Sequence, residues 1–85
     1  MIARLHDIDH LRESFARVIT QRRLQRGWAQ EDLAAFSGLD RSYVSRLEKG
    51  LRTPSLDVVF RFAEAFKISP RTLVKEVKED LDRRV

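Results

Sequence analysis

Cysteine is absent from this chain. Its absence excludes disulfides, Cys-ligated zinc and thiol catalysis. Glycine and proline are scarce, three and two residues among 85, and each sits where a helix should stop or start. No apolar run approaches the length that crosses a bilayer. The stretch from Met1 to Asp7 lacks the long apolar segment of a secretory signal, so a cytoplasmic protein is expected. There is no internal repeat, no low-complexity tract and no segment with the period-2 alternation of a strand.

What is present is an apolar fraction of 42% beside a charged fraction of 35%. That balance fits a folded helical domain rather than a disordered chain, with one modest core. Seventeen lysines and arginines against thirteen acids leave a net charge of +4. The excess favours a polyanion, whether DNA, RNA or an anionic membrane, without choosing among them.

Periodicity and capping signals divide the chain into five helices. The first should run from Ile8 or His10 to Arg26, with Leu11, Phe15, Val18 and Ile19 as one apolar stripe and Gly27 as its terminator. A short second helix, Gln30 to Ser37, turns Leu33 and Ala34 inward and ends at Gly38. Ala29 stands at its N-cap position and cannot accept the orphan N–H bonds. Asp40 caps a third helix, Arg41 to Lys49, with Val44 and Leu47 inward and Gly50 at its close. Ser55 caps a fourth, to Lys67, whose expected core stripe is Leu56, Val59, Phe60, Ala63 and Phe66. Val58, Phe62 and Ala65 give it a second apolar face, which also needs burial. Ser69 and Pro70 open a fifth helix carrying Leu73, Val74, Val77 and Leu81. The domain is expected over residues 10–82, after an N-terminal extension at 1–9 that can be helical in part, and before a short tail at 83–85.

Residues 30–50 read as a short helix, a glycine-containing turn and a second short helix. Two such helices cross steeply and expose the second, which fits the major groove of duplex DNA. Arg41, Ser42, Ser45 and Arg46 lie opposite the buried stripe of that helix. Arginine bonds bidentately to guanine O6 and N7, so Arg41 and Arg46, with Ser42, are the candidate base contacts. Gln30, at the start of the second helix, is placed to anchor a backbone phosphate. Ser45, Lys49 and Arg52 complete the expected backbone contacts, whereas Arg12, Arg17 and Arg22 read equally as ordinary helix surface.

The stretch from Phe15 to Leu73 resembles the helix-turn-helix proteins of the phage Cro and repressor type. The resemblance rests on Arg23, on Gly27 to Glu31, on Leu33-Ala34, Gly38-Leu39 and Val44-Ser45, on Leu47 to Gly50, on Pro54 to Leu56, and on Ala63 with Phe66. It implies an all-α, five-helix, lambda-repressor-like domain that contacts DNA through Gln30, Arg41, Ser42 and Arg46. It also implies a buried ion pair between Arg23 and Glu48. The run from Leu39 to Tyr43 looks particularly like restriction–modification controller proteins, which are dimeric autoregulators, and implies a sugar–phosphate contact for Tyr43. Ala29, where the family has serine or threonine, and Phe36, at a usually polar position, depart from the pattern.

The function expected is therefore sequence-specific binding of double-stranded DNA by a transcriptional regulator. One recognition helix reads too few base pairs, so a homodimer on an inverted repeat is expected. Surplus apolar surface on Val58, Phe62 and Ala65, with Val74, Val77 and Leu81, is the candidate self-contact. Its alternative is burial within one chain by Ile2, Leu5 and Ile8. The rival class is a protein-interaction module, an antitoxin or adaptor on the same fold, against which the basic third helix argues. His6 and His10 have i, i+4 spacing for a metal, but solvated polar residues at a terminus are the norm. No metal, no cofactor and no catalytic serine–histidine–acid set is expected.

Overall fold

The structure, a computed structural model, describes the backbone of residues 5–84 and the side chains of residues 8–84. It contains α1 (Leu5–Gln25), α2 (Gln30–Ser37), α3 (Arg41–Glu48), α4 (Leu56–Phe66) and α5 (Pro70–Arg84). The five helices stand where caps and glycines place them. α1 begins earlier than expected, so the helix enters the segment read as an extension, and Lys49 is the C-cap of α3 rather than its last turn. The Asp40 and Ser55 side chains accept the N–H groups of Ser42 and Val58, and Ser69 Oγ accepts that of Arg71 at 3.1 Å. α2 has no such cap. There Asp32 reaches back instead, its carboxylate accepting the Ala29 N–H at 2.8 Å.

The core is one cluster drawn from every helix. Phe15, Val18 and Ile19 of α1 meet Leu33, Val44 and Leu47 of the helix-turn-helix, Phe62 and Phe66 of α4, and Leu73 and Val77 of α5. α4 is rotated from the expected orientation, keeping Ala63 and Phe66 of the expected stripe inward but burying Val58 and Phe62 in place of Leu56 and Phe60. Val58, Phe62, Ala63 and Phe66 are buried, while Leu56 and Phe60 are 71% and 54% exposed. The inward stripe runs unbroken from 58 to 66 at helical spacing. The Leu56–Phe60 row continues into Glu64 and Lys67, whose charges cannot enter a core. Leu11, assigned to the stripe of α1, also lies at the surface.

α5 is tied to α1 by two arginine–carboxylate bridges. Arg17 donates to Asp80 from Nε (3.0 Å) and Nη2 (2.7 Å), and to the fully buried Ser14 hydroxyl at 3.3 Å. Arg22 grips Glu76 with both Nε (2.7 Å) and Nη2. Arg17 and Arg22 are thus committed to internal packing, and Arg12 donates to Thr53 Oγ1 at 2.6 Å. Bidentate geometry adds strength to such bridges. The Arg17 hydrogen bonds hold the buried Asp80 carboxyl below the usual carboxylate range.

Two outcomes test this packing. Phe62→Ala should cost about 3–5 kcal/mol in urea unfolding, and Phe60→Ala under about 1 kcal/mol; the reverse order would mean that α4 is turned the other way. Because Asp80 is depressed in the folded state, its stabilisation is complete above the unfolded carboxylate pKa of about 3.9 and fades as pH falls through the folded value. Asp80→Asn should therefore lose about 1–3 kcal/mol near neutral pH. Its thermal midpoint should also fall less than that of the parent on acidification.

Candidate nucleic-acid interface

The turn between α2 and α3 is set by Gly38 in the left-handed region (φ 73°), with Leu39 N–H closing on the Ala34 carbonyl at 2.9 Å. A Cβ at Gly38 would meet Arg61 Nη1 at 3.1 Å, and Arg61 is engaged there, donating to the Ser37 carbonyl at 3.3 Å. The turn thus lies against α4. Val44 and Leu47 of α3 are fully buried. Their burial sets the rotation of the helix about its axis and leaves Arg41, Ser42 and Arg46 exposed. At its start, Asp40 accepts both the Ser42 N–H (3.1 Å) and the Ser42 hydroxyl. These bonds, with the nearby charge of Arg46, keep the Asp40 carboxyl below its ordinary range and ionised.

Beneath α3 lies a charged network. Arg23 of α1 donates to the two oxygens of Glu48 at 2.7 and 2.9 Å and to the Trp28 carbonyl at 2.8 Å. The Glu48 and Arg23 side chains are only 6% and 12% exposed. Gln30 joins them, its Nε2 donating to Glu48 Oε1 at 3.0 Å. One carboxylate on α3 thereby holds α1 and the first residue of α2, and Arg23 holds the loop before α2 through the Trp28 carbonyl. Sequence reasoning placed Gln30 on a phosphate and missed this second bond. No local signal announces it, because its partner lies eighteen positions away.

The rim is basic. Lys49 and Arg52 are exposed past the end of α3, and the Arg52 guanidinium stands 6.0 Å from the centre of the half-buried Tyr43 ring. Ser45 is half-buried. Away from this surface, Trp28 stacks on Phe66 (5.8 Å, 10°) and meets the exposed Phe36 ring at a tilt (4.6 Å, 47°). Arg26 covers both rings of that stack.

The residues proposed for self-contact are not one surface. Val58 and Phe62 lie inside the core of a single chain, and Val77 is buried beside an apolar groove that Leu11 and Val74 also line, so the three do not form an exposed self-contact. Ala65 and Leu81 are half-buried, and only Val74 is exposed. Of the segment weighed as their cover, Ile2 and the Leu5 side chain lie outside the described residues, and Ile8 is exposed. His6 also falls outside the described side chains. Among the described residues no cluster of His, Asp or Glu is placed to hold a metal, and no helix is long and apolar enough to cross a membrane.

Comparison with known proteins bears on the same elements. A family profile described as Helix-turn-helix matches residues 19–73. The uncharacterized HTH-type transcriptional regulator y4dJ of Sinorhizobium fredii is 35% identical over 66 residues, covering 78% of this chain and 80% of the relative. The restriction-modification controller protein C.AhdI from Aeromonas hydrophila superposes with a TM-score of 0.70 at 42% identity, over 73% of this chain and 94% of that one. The controller C.Esp1396I, crystallised as a tetramer in complex with its natural 35 base-pair operator, superposes at 0.76 with 28% identity, over 84% and 93% of the two chains.

Removing Glu48 should leave the Arg23 charge buried and unpaired. Glu48→Ala is expected to cost about 3–5 kcal/mol, against about 1–2 kcal/mol for Gln30→Ala, which removes one donor to the carboxylate but leaves the ion pair in place. Thermal and urea unfolding of the two variants decide it. Equal losses would show that the ion pair does not govern this junction.

Proposed function

The chain belongs to the helix-turn-helix family, and from that premise we propose that it is a transcriptional regulator of the controller type that binds duplex DNA sequence-specifically as a homodimer. The observation that carries this reading is the outward aim of Arg41 and Arg46 from a helix whose other side is locked into the core. Each guanidinium suits a guanine edge in the major groove. Gln30, Tyr43, Ser45, Lys49 and Arg52 surround them as backbone contacts, so phosphates position the domain while α3 reads sequence. No catalytic chemistry is assigned to the chain, and its place of action is the cytoplasm, on the DNA.

A dimer reads two half-sites about one helical turn, roughly 34 Å, apart. We assign the second copy to the outer face of α4. Leu56 and Phe60 stand one turn apart on that face, and Leu51 is exposed in the loop before it. These are large apolar side chains that the chain's own core leaves uncovered, close in sequence to the recognition helix. They replace the buried members of the self-contact considered above.

Fluorescence polarisation with upstream and generic duplexes at two salt concentrations tests the reading. Arg41→Ala and Arg46→Ala should each lose about 1–3 kcal/mol of discrimination while keeping the fold, and Lys49→Ala should weaken all duplexes alike and lower the salt slope by about one. Wild-type affinity in both arginine variants would remove the site assignment. In sedimentation, Phe60→Asp should shift the mass toward the monomer more than Val74→Asp does; an unchanged dimer would return the interface to α5.

A further inference from the structure

We propose that Ser42 reads its base as a hydrogen-bond acceptor only, and so selects the exocyclic amino group of adenine or cytosine. The inference rests on the DNA-binding reading above and names the chemistry of one position within it.

A serine hydroxyl has one hydrogen and two lone pairs, and normally rotates to donate or accept as its partner requires. At Ser42 that freedom is gone. Its hydroxyl donates to Asp40, and the same carboxylate oxygen accepts the Ser42 N–H at 3.1 Å. The direction of the hydroxyl bond is unambiguous, because an ionised carboxylate has no proton to give. Asp40 is exposed, lies beside the helix N-terminus and feels the charge of Arg46, all of which keep it ionised. Only lone pairs remain on Ser42 Oγ to face solvent or a ligand.

In the major groove, adenine N6 and cytosine N4 are donors, whereas guanine O6 and N7 and thymine O4 are acceptors. An acceptor-only serine meets a donor at the first pair and a repulsive lone-pair contact at the second. The exposed side of α3 is thereby sorted by chemistry. Arg41 and Arg46 carry only donors and suit guanine, and Ser42, set between them in sequence, suits an amino group. A serine with a free hydroxyl would specify nothing of the kind.

The test uses a duplex enriched by the wild-type chain from a randomised library, then made with single-atom analogues. Each adenine or cytosine of a half-site is replaced in turn by purine or 2-pyrimidinone, which lack the amino group, and each guanine by 7-deazaguanine, which lacks N7. One amine deletion should weaken the wild type about three- to tenfold, and the same deletion should not weaken Ser42→Ala further. Asp40→Gly removes the oxygen that accepts both Ser42 groups, at little cost to the helix start, and frees the hydroxyl hydrogen; it should shrink the penalty for guanine or thymine at that position. If Ser42→Ala adds to every amine deletion, or couples to 7-deazaguanine instead, the acceptor assignment is wrong while DNA binding stands. If the library yields no enriched duplex, the DNA-binding reading itself falls, and this inference with it.

Discussion

The Glu48 carboxylate is the junction on which the geometry of this domain depends. It sits at the end of α3, is nearly inaccessible to water, and is reached by Arg23 from α1 and Gln30 from α2. An eight-residue helix is marginal by itself, because nucleation is costly and few bonds follow. α3 has its place because Val44 and Leu47 bury one side and Glu48 fixes one end. A buried ion pair of this kind adds little net stability compared with an apolar substitute. What it adds here is direction. Apolar side chains tolerate small rotations, whereas a bidentate guanidinium–carboxylate pair, with a third donor on the same carboxylate, accepts few orientations.

The distribution of positive charge follows from similar pairing. The net charge of +4 understates how the cations are arranged. Arg17, Arg22, Arg23 and Arg61 are each bound to a carboxylate within the chain. Arg41, Arg46 and Lys49 form no ion pair among the described residues. Arg52 is in the same position, and so, elsewhere in the chain, are Arg26, Lys67, Arg71 and Lys75; α3 and the loop that follows it thus carry one group of such cations among several. The exposed cations grouped at α3 favour a polyanion at that edge.

Helix ends were legible in the sequence because their chemistry is local. Asp40, Ser55, Ser69 and the glycines at 27, 38 and 50 act within a few residues of themselves. The exposed side of α3 was legible for the same reason, since eight residues with two buried positions leave little choice of face. The orientation of α4 was not. Both faces are apolar over the first two turns, and the deciding residues, Glu64 and Lys67, act by exclusion at the far end. Nor were the partners of Arg17 and Arg22, which lie 63 and 54 positions away. An arginine on a helix reads as surface until tertiary structure supplies an acid. The Arg23–Glu48 pair was anticipated through family resemblance, not through any property of the two residues in isolation.

Specificity in so small a domain requires that the reading surface be held rather than merely exposed. α3 is fixed along its whole length by three different means. Asp40 caps its first turn, Val44 and Leu47 anchor its middle, and Glu48 ties its last turn to two other helices. Gly50 then turns the chain away in the left-handed region (φ 73°), with the α1 backbone at Glu13 a van der Waals contact from where a Cβ would stand. Each restraint lies on the side facing away from solvent, or at an end. None uses Arg41 or Arg46. The side chains suited to a base edge are therefore carried by a rigid support whose stability does not depend on them, so they can change without loss of the fold. That separation allows one framework to read different sequences.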